Sequence, residues 1–174
     1  MLDLLKVSAG ETLLIHGAAG AVGTVAVQLA VRRGATVIGT ASPANQAYLR
    51  DLGAVPVEYG DGLVERVRAL APRGIDAVFD VAGKGALPAS IELRGGTSRI
   101  ITIADMGAQS LGIPFSAGTP EMRSAPALAD LARLVVDGAL RLTVSATYPL
   151  ERAAEAHRIS EAGHARGKIV LLVD

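Results

Sequence analysis

The chain predicts an α/β fold: a doubly wound, parallel, six-stranded sheet with a C-terminal helix–strand appendage. Three observations carry that expectation. Strand-like and helix-like patterns alternate along most of the 174 residues, as parallel strands joined by crossover helices require. Half the residues are hydrophobic and only 3% are aromatic, so the core is Val, Leu, Ile and Ala, the usual material of strands covered on both faces. The first strand pattern also runs directly into a glycine-rich turn that opens a helix.

Taken in order, residues 12–16 are an apolar strand and 21–33 a helix, with Val22, Val25, Ala26, Leu29 and Ala30 on one face. Residues 36–40 form the second strand, followed by Ala41-Ser42-Pro43 and a helix over 44–52 that Gly53 closes. A short strand over 55–58 precedes an amphipathic helix over 63–70, stopped by Pro72 and Gly74. Residues 77–81 are the fourth strand, 85–93 a helix ending at Gly95-Gly96, and 99–104 the fifth strand. The Gly- and Ser-rich stretch 105–119 contains one further strand candidate, 113–116, which completes the six. A helix over 125–136 carries Leu128, Leu131, Ala132 and Val135 on one face. A strand over 142–148, a helix over 151–162 and a wholly apolar strand over 169–173 end the chain. Right-handed crossovers then wind the sheet from both sides.

Composition excludes several classes. Seventeen basic and seventeen acidic residues give a formal charge of zero, so neither a nucleic-acid stripe nor a membrane-surface helix is indicated. There is no cysteine, hence no disulfide framework and no thiolate metal site. The first residues lack a signal-peptide pattern, and no apolar run approaches the ~18 residues of a membrane span. The expectation is a soluble, cytoplasmic protein.

The turn Ala18-Ala19-Gly20-Ala21-Val22-Gly23, preceded by Gly17, has the register of a dinucleotide-binding fingerprint between a strand and a helix. Gly20 stands where a side chain would block the backbone's approach to a pyrophosphate. Gly23 lets the helix pack against the strand. The helix start then offers its N–H groups to the phosphates. This is the Rossmann arrangement. The second strand's end selects the cofactor. A carboxylate there would accept from the adenosine ribose hydroxyls of NAD. No Asp or Glu occurs between Gly20 and Arg50. Thr40, Ser42 and Asn45 offer small polar groups instead, with Arg50 within reach, so NADP(H) is expected over NAD. The plainer role for Ser42 and Asn45 is capping of the next helix, and the two roles are compatible.

In a doubly wound sheet the ligand lies across the carboxyl ends of the strands. Val81, Ala82 and Gly83 after the fourth strand, and Thr102, Ile103 and Ala104 at the fifth, are small enough to leave room for a nicotinamide. Ordinary strand exits would read the same way. His157, Glu161 and His164 are spaced i, i+4, i+7, but Gly163 ends the helix before His164, and no metal site is expected. His16 reads as a hydrogen-bonded core residue. No G-x-S-x-G elbow, no G-x-x-x-x-G-K-[ST] loop and no tyrosine–lysine dyad occurs. No catalytic residue is assigned.

These segments together resemble a known family. Val7-x-x-Gly10-Glu11-Thr12 leading through the glycine turn, Gln28-Leu29-Ala30, Gly34-Ala35-Thr36-Val37-Ile38-Gly39-Thr40-Ala41-Ser42, Leu49-Arg50-x-Leu52-Gly53-Ala54, Asp76-x-Val78-Phe79-Asp80 and the ending Arg166-Gly167-Lys168-Ile169-Val170-Leu171 are similar to the zinc-independent quinone oxidoreductase branch of the medium-chain dehydrogenase/reductase superfamily. The resemblance runs nearly end to end. It implies NADPH-dependent hydride transfer to quinones, enones or similar electrophilic carbonyl compounds without a catalytic zinc. It implies that residues matching Asn45, often Lys in relatives, and Tyr59 approach the adenosine 2′-phosphate. It implies a homodimer paired along the 111–116 edge, where Leu111, Ile113 and Phe115 alternate with smaller residues. Relatives carry a β-rich catalytic domain before the cofactor domain, and no such domain is in this sequence. The expected organisation is a dinucleotide-binding domain over residues 1–147 and a segment over 148–174 that in relatives returns to the catalytic domain. The chain is then the NADP(H)-binding half of an oxidoreductase, whether excised, truncated or split. The alternative is a free-standing dinucleotide-binding module, a sensor or partner subunit without catalysis.

Overall fold

The computed structural model describes residues 1–118, 124–163 and 165–173. Its centre is a parallel sheet of β1 (Thr12–His16), β2 (Thr36–Ala41), β3 (Val55–Glu58), β4 (Ala77–Asp80) and β5 (Ile100–Thr102), in the order β3-β2-β1-β4-β5. The chain order reverses between β1 and β4, so a crevice opens at the carboxyl ends of those two strands. Because successive side chains point to opposite faces, β1 feeds two cores. Leu13 and Ile15 join Val37 and Phe79 beneath α1 (Gly23–Arg32) and α2 (Gln46–Asp51). Leu14 joins Ile38, Val78 and Ile100 beneath α3 (Leu63–Leu70) and α4 (Leu87–Arg94). The doubly wound α/β expectation holds.

One strand of the expected six does not form. Residues 113–116 reach β5 through a single bridge, Thr102 to Phe115, and the sheet has five strands. The reason is local. Pro114 has no N–H for a ladder. The N–H of Ile113 is spent on the Ala108 carbonyl, closing a 3-10 turn over Met106–Leu111. Ile113 is nevertheless buried against the second core.

After α5 (Ala125–Val136), β6 (Val144–Pro149) and β7 (Lys168–Leu172) form their own parallel pair, joined through α6 (Ala153–Glu161). The apolar stripe expected on α5 is covered only in part: Leu128 is 68% exposed and the helix has no buried residue. The C-terminal pair is tied back to the main sheet domain. Gln28 and the Arg141 backbone exchange two hydrogen bonds of 2.8 and 3.0 Å. The Tyr48 and Thr143 hydroxyls meet at 2.7 Å, and Gly20 forms a parallel bridge with Gly167. Among the described residues no helix is long and apolar enough to cross a membrane.

At the opposite end of the sheet, Arg99 clasps the N-terminal segment. Its guanidinium meets both Glu11 carboxylate oxygens, at 2.7 and 2.8 Å, and donates to the Leu5 and Lys6 carbonyls. The Arg99 hydrogen bonds, then the Ser8 backbone N–H, hold the Glu11 carboxyl at about 2, below its ordinary 4.5. The folded state therefore binds this proton less readily than the unfolded chain. The clasp's contribution is complete above pH 4.5 and is lost as pH falls through about 2. Denaturant titrations should show that Glu11→Gln lowers stability by about 1 kcal/mol at pH 7, with the gap to the parent narrowing in acid. An equal gap at pH 7 and pH 3 would show that the clasp's charge contributes nothing.

Candidate functional site

The glycine turn is fastened to β2. Gly17, in the left-handed region at φ 72°, donates its N–H to the Thr40 hydroxyl at 3.1 Å, and Ala18 donates to the Thr40 carbonyl at 3.1 Å. Gly20 closes the turn by donating to the Gly17 carbonyl. The two fingerprint glycines are glycine for different reasons. A Cβ on Gly23 would lie 2.3 Å from the Gly17 oxygen and 2.7 Å from the Ala18 Cα, so the start of α1 could not sit on the turn. A Cβ on Gly20 would meet only the Gly17 oxygen, at an ordinary 3.4 Å. The fold itself leaves space at Gly20, and that space belongs to the crevice.

The crevice is a cavity of about 1040 Å³ at the carboxyl ends of β1, β2 and β4, the size of a pocket for a large organic ligand. Of the residues expected at the site, Ala19, Gly20, Thr40, Ser42, Asn45, Tyr59, Val81 and Ala82 line it. Ala18 is fully buried beneath the turn, and Gly23 is buried at the start of α1. Ala21, Val22, Gly83, Ile103 and Ala104 lie outside the lining. Thr102 is fully buried, and its hydroxyl donates to Asp80 at 2.7 Å while accepting from the N–H groups of Ala104 and Asp105.

Asp80 organises both strand exits on this side. It is buried at the end of β4, and its second oxygen accepts from the Ala82 and Gly83 N–H groups at 2.9 and 3.1 Å. The loop that carries Val81 and Ala82 into the cavity is held by this one carboxylate.

Ser42 and Asn45 precede a 3-10 turn and α2 respectively, and neither makes a side-chain capping bond. The Asn45 amide donates to the Ser42 hydroxyl at 3.3 Å, and both side chains stay in the cavity wall. Two cations that the sequence reading did not single out also line it: Lys84 after β4, and Arg166 from the C-terminal segment. The described lining contains no carboxylate. Such a wall favours an anionic ligand, because no fixed negative charge opposes it.

His16 also reaches the cavity but is 2% exposed. Its Nε2 lies 3.0 Å from the Ser90 hydroxyl, whose own proton goes to the Ala86 carbonyl at 2.7 Å. The imidazole Nε2–H is thus the donor. Burial pushes the His16 pKa well below its ordinary 6.5, against a smaller upward pull from Asp80, so the ring is neutral at pH 7. It serves as the hydrogen-bonded core residue expected of it. Among the described residues no cluster of three His, Cys, Asp or Glu side chains could hold a metal; His164 lies outside the described residues.

Comparison with known proteins places this geometry. Residues 52–171 match the zinc-binding dehydrogenase family. The chain is 34% identical to the pikromycin polyketide synthase component PikAII of Streptomyces venezuelae, across 97% of its own length and 5% of that protein. It is 33% identical to a 2-haloacrylate reductase of a Burkholderia species, across 96% of this chain and 57% of the relative. Among solved structures, the quinone oxidoreductase of Coxiella burnetii superposes with a TM-score of 0.81 at 31% identity, covering 99% of this chain and 56% of that one. A mycobacterial protein, Rv1454c, solved in complex with NADPH, superposes at 0.77 with 28% identity, covering 98% of this chain and 59% of that one. The chain thus spans between 5% and 59% of the four proteins named here. It belongs to the zinc-binding dehydrogenase family, as the cofactor-binding domain of a quinone oxidoreductase-like member of the medium-chain dehydrogenase/reductase superfamily.

Proposed function

We propose that this domain binds NADP(H) in the crevice above Gly20 and serves hydride transfer to a quinone, an enone or a related electrophilic carbonyl compound, without a catalytic zinc. The observation that carries the reading is the wall at the end of β2: Ser42 and Asn45 with Arg166, and no carboxylate among the described residues of the lining. An acidic residue there would repel a 2′-phosphate, whereas this wall accepts one. The relative solved with NADPH, at 28% identity, supports the choice.

The bound nicotinamide supplies the hydride; the protein supplies binding, orientation and electrostatics. Gly20 admits the pyrophosphate to the backbone. Thr40 holds the turn through Gly17 and Ala18. Asp80 fixes the Val81–Ala82 loop against which the nicotinamide half would rest. The acceptor, its second wall and any proton donor belong to a catalytic domain outside residues 1–174, with residues 148–174 bridging to it.

Calorimetric titration should show NADPH binding at least several-fold more tightly than NADH, ~1–2 kcal/mol on the affinity scale. Adding a quinone to these 174 residues alone should give only trace turnover, because they span 57% and 56% of the two reductases compared above and leave the crevice open to water. Equal affinities for the two nucleotides would sink the cofactor assignment. Ordinary turnover would sink the division of labour.

A further inference from the structure

We propose that Arg166 supplies the charge that makes the site prefer NADP(H), so that cofactor choice is set by the C-terminal segment and not by the Rossmann turn alone. The inference rests on the cofactor reading above and assigns its specificity to a residue that β2 does not carry. Asn45, at the corner where an ammonium would suit a 2′-phosphate, is neutral. Arg166 stands beside it. Its Nε donates to the Asn45 Oδ1 at 2.9 Å and its Nη2 to the Ala44 carbonyl at 3.3 Å. The guanidinium lies over the Tyr48 ring, 4.7 Å from its centre. These contacts orient the planar fork without neutralising it. No carboxylate pairs with Arg166 among the described residues, and its Nη1 bonds none of their groups. An arginine so placed offers a preorganised donor pair to a phosphate monoester.

The segment that carries Arg166 is itself fixed. Gly167, at φ 79°, packs so closely that a Cβ would fall 2.2 Å from the Thr143 oxygen. Lys168 donates to that same oxygen at 2.8 Å, and Gly167 bridges to Gly20 in the phosphate turn. The pyrophosphate turn and the proposed 2′-phosphate donor are therefore neighbours through one backbone contact, although Arg166 is 121 positions from Asn45.

The test uses the 174-residue chain, its Arg166→Ala and Arg166→Lys variants, and two probes, NADPH and NADH, titrated by nucleotide fluorescence. Circular dichroism confirms that each variant is folded. For Arg166→Ala, NADPH affinity should fall 10- to 50-fold while NADH affinity stays within twofold of the parent, which removes the preference. Arg166→Lys should restore part of the NADPH affinity, and raised salt should weaken NADPH binding more in the parent than in Arg166→Ala. An Arg166→Ala variant that keeps the parent's NADPH preference would overturn the role of Arg166 and leave the cofactor reading standing. Equal loss for both nucleotides would likewise overturn it, showing a general structural effect. A parent chain without any NADPH preference would overturn both together.

Discussion

Replacing Gly20 with valine should abolish nucleotide binding and leave the domain folded. Both halves of that expectation come from one measurement of space. A Cβ at Gly20 meets only the Gly17 oxygen at 3.4 Å, and the residue's φ is not in the glycine-only region, so the folded chain accommodates the substitution. The branch methyls, however, project into the cavity that Gly20 lines, where the pyrophosphate must come within hydrogen-bond distance of the backbone. Loss of those contacts should raise Kd more than 100-fold, about 3 kcal/mol or more. Gly23→Val is the contrasting case. There the Cβ would sit 2.3 Å from a backbone oxygen, and the start of α1 would have to move, so this variant should lose stability before it loses affinity. Urea unfolding and NADPH titration of both variants separate the two roles. Undiminished NADPH binding by Gly20→Val would refute the assigned turn.

The fold was legible where the signal is local. The β1–turn–α1 unit follows from residue spacing alone, whereas the division of Leu13 and Ile15 from Leu14 between two cores is visible only in the fold. The sequence overstates a sixth strand, because Leu111, Ile113 and Phe115 alternate as strand residues do. The competing demand of the Ile113 N–H, satisfied by Ala108, decided the outcome. At the site, Ser42 and Asn45 were visible because β2's end is a known place to look. Their freedom from capping was not, since cap residues and ligand residues are the same types. Thr102 read as a small residue at a strand exit, but its hydroxyl is committed to Asp80. Arg166 could not be found by spacing at all. It belongs to the cavity only because β7 pairs with β6 and Gly167 meets Gly20, contacts that join distant stretches of chain. One signal did exist: a site wall with no acidic residue and a neutral Asn45 called for a cation from elsewhere.

Asp80→Ala should destabilise the domain strongly, costing about 3 kcal/mol. The carboxylate is fully buried and accepts three hydrogen bonds, from the Ala82 and Gly83 N–H groups and the Thr102 hydroxyl. Alanine leaves all three donors without an acceptor in a place where Thr102 is itself sealed from water. Each orphaned donor costs about 1–3 kcal/mol, and water entering from the cavity side recovers part of that at Ala82. The damage then spreads in two directions. The Val81–Ala82 loop loses its anchor, so NADPH affinity should fall together with stability. The Thr102 hydroxyl, which also receives the Ala104 and Asp105 N–H groups, loses the partner that fixes its rotamer. Asp80→Asn distinguishes charge from geometry. Its amide oxygen can keep the two backbone bonds, but its NH2 faces the Thr102 hydroxyl, which has already accepted twice and must turn its proton elsewhere. This variant should cost about 1 kcal/mol and keep most of the affinity. Urea midpoints at pH 7 give the comparison. An alanine variant within 1 kcal/mol of the parent would mean that solvent replaces the carboxylate freely, and that Asp80 does not hold the two strand exits together.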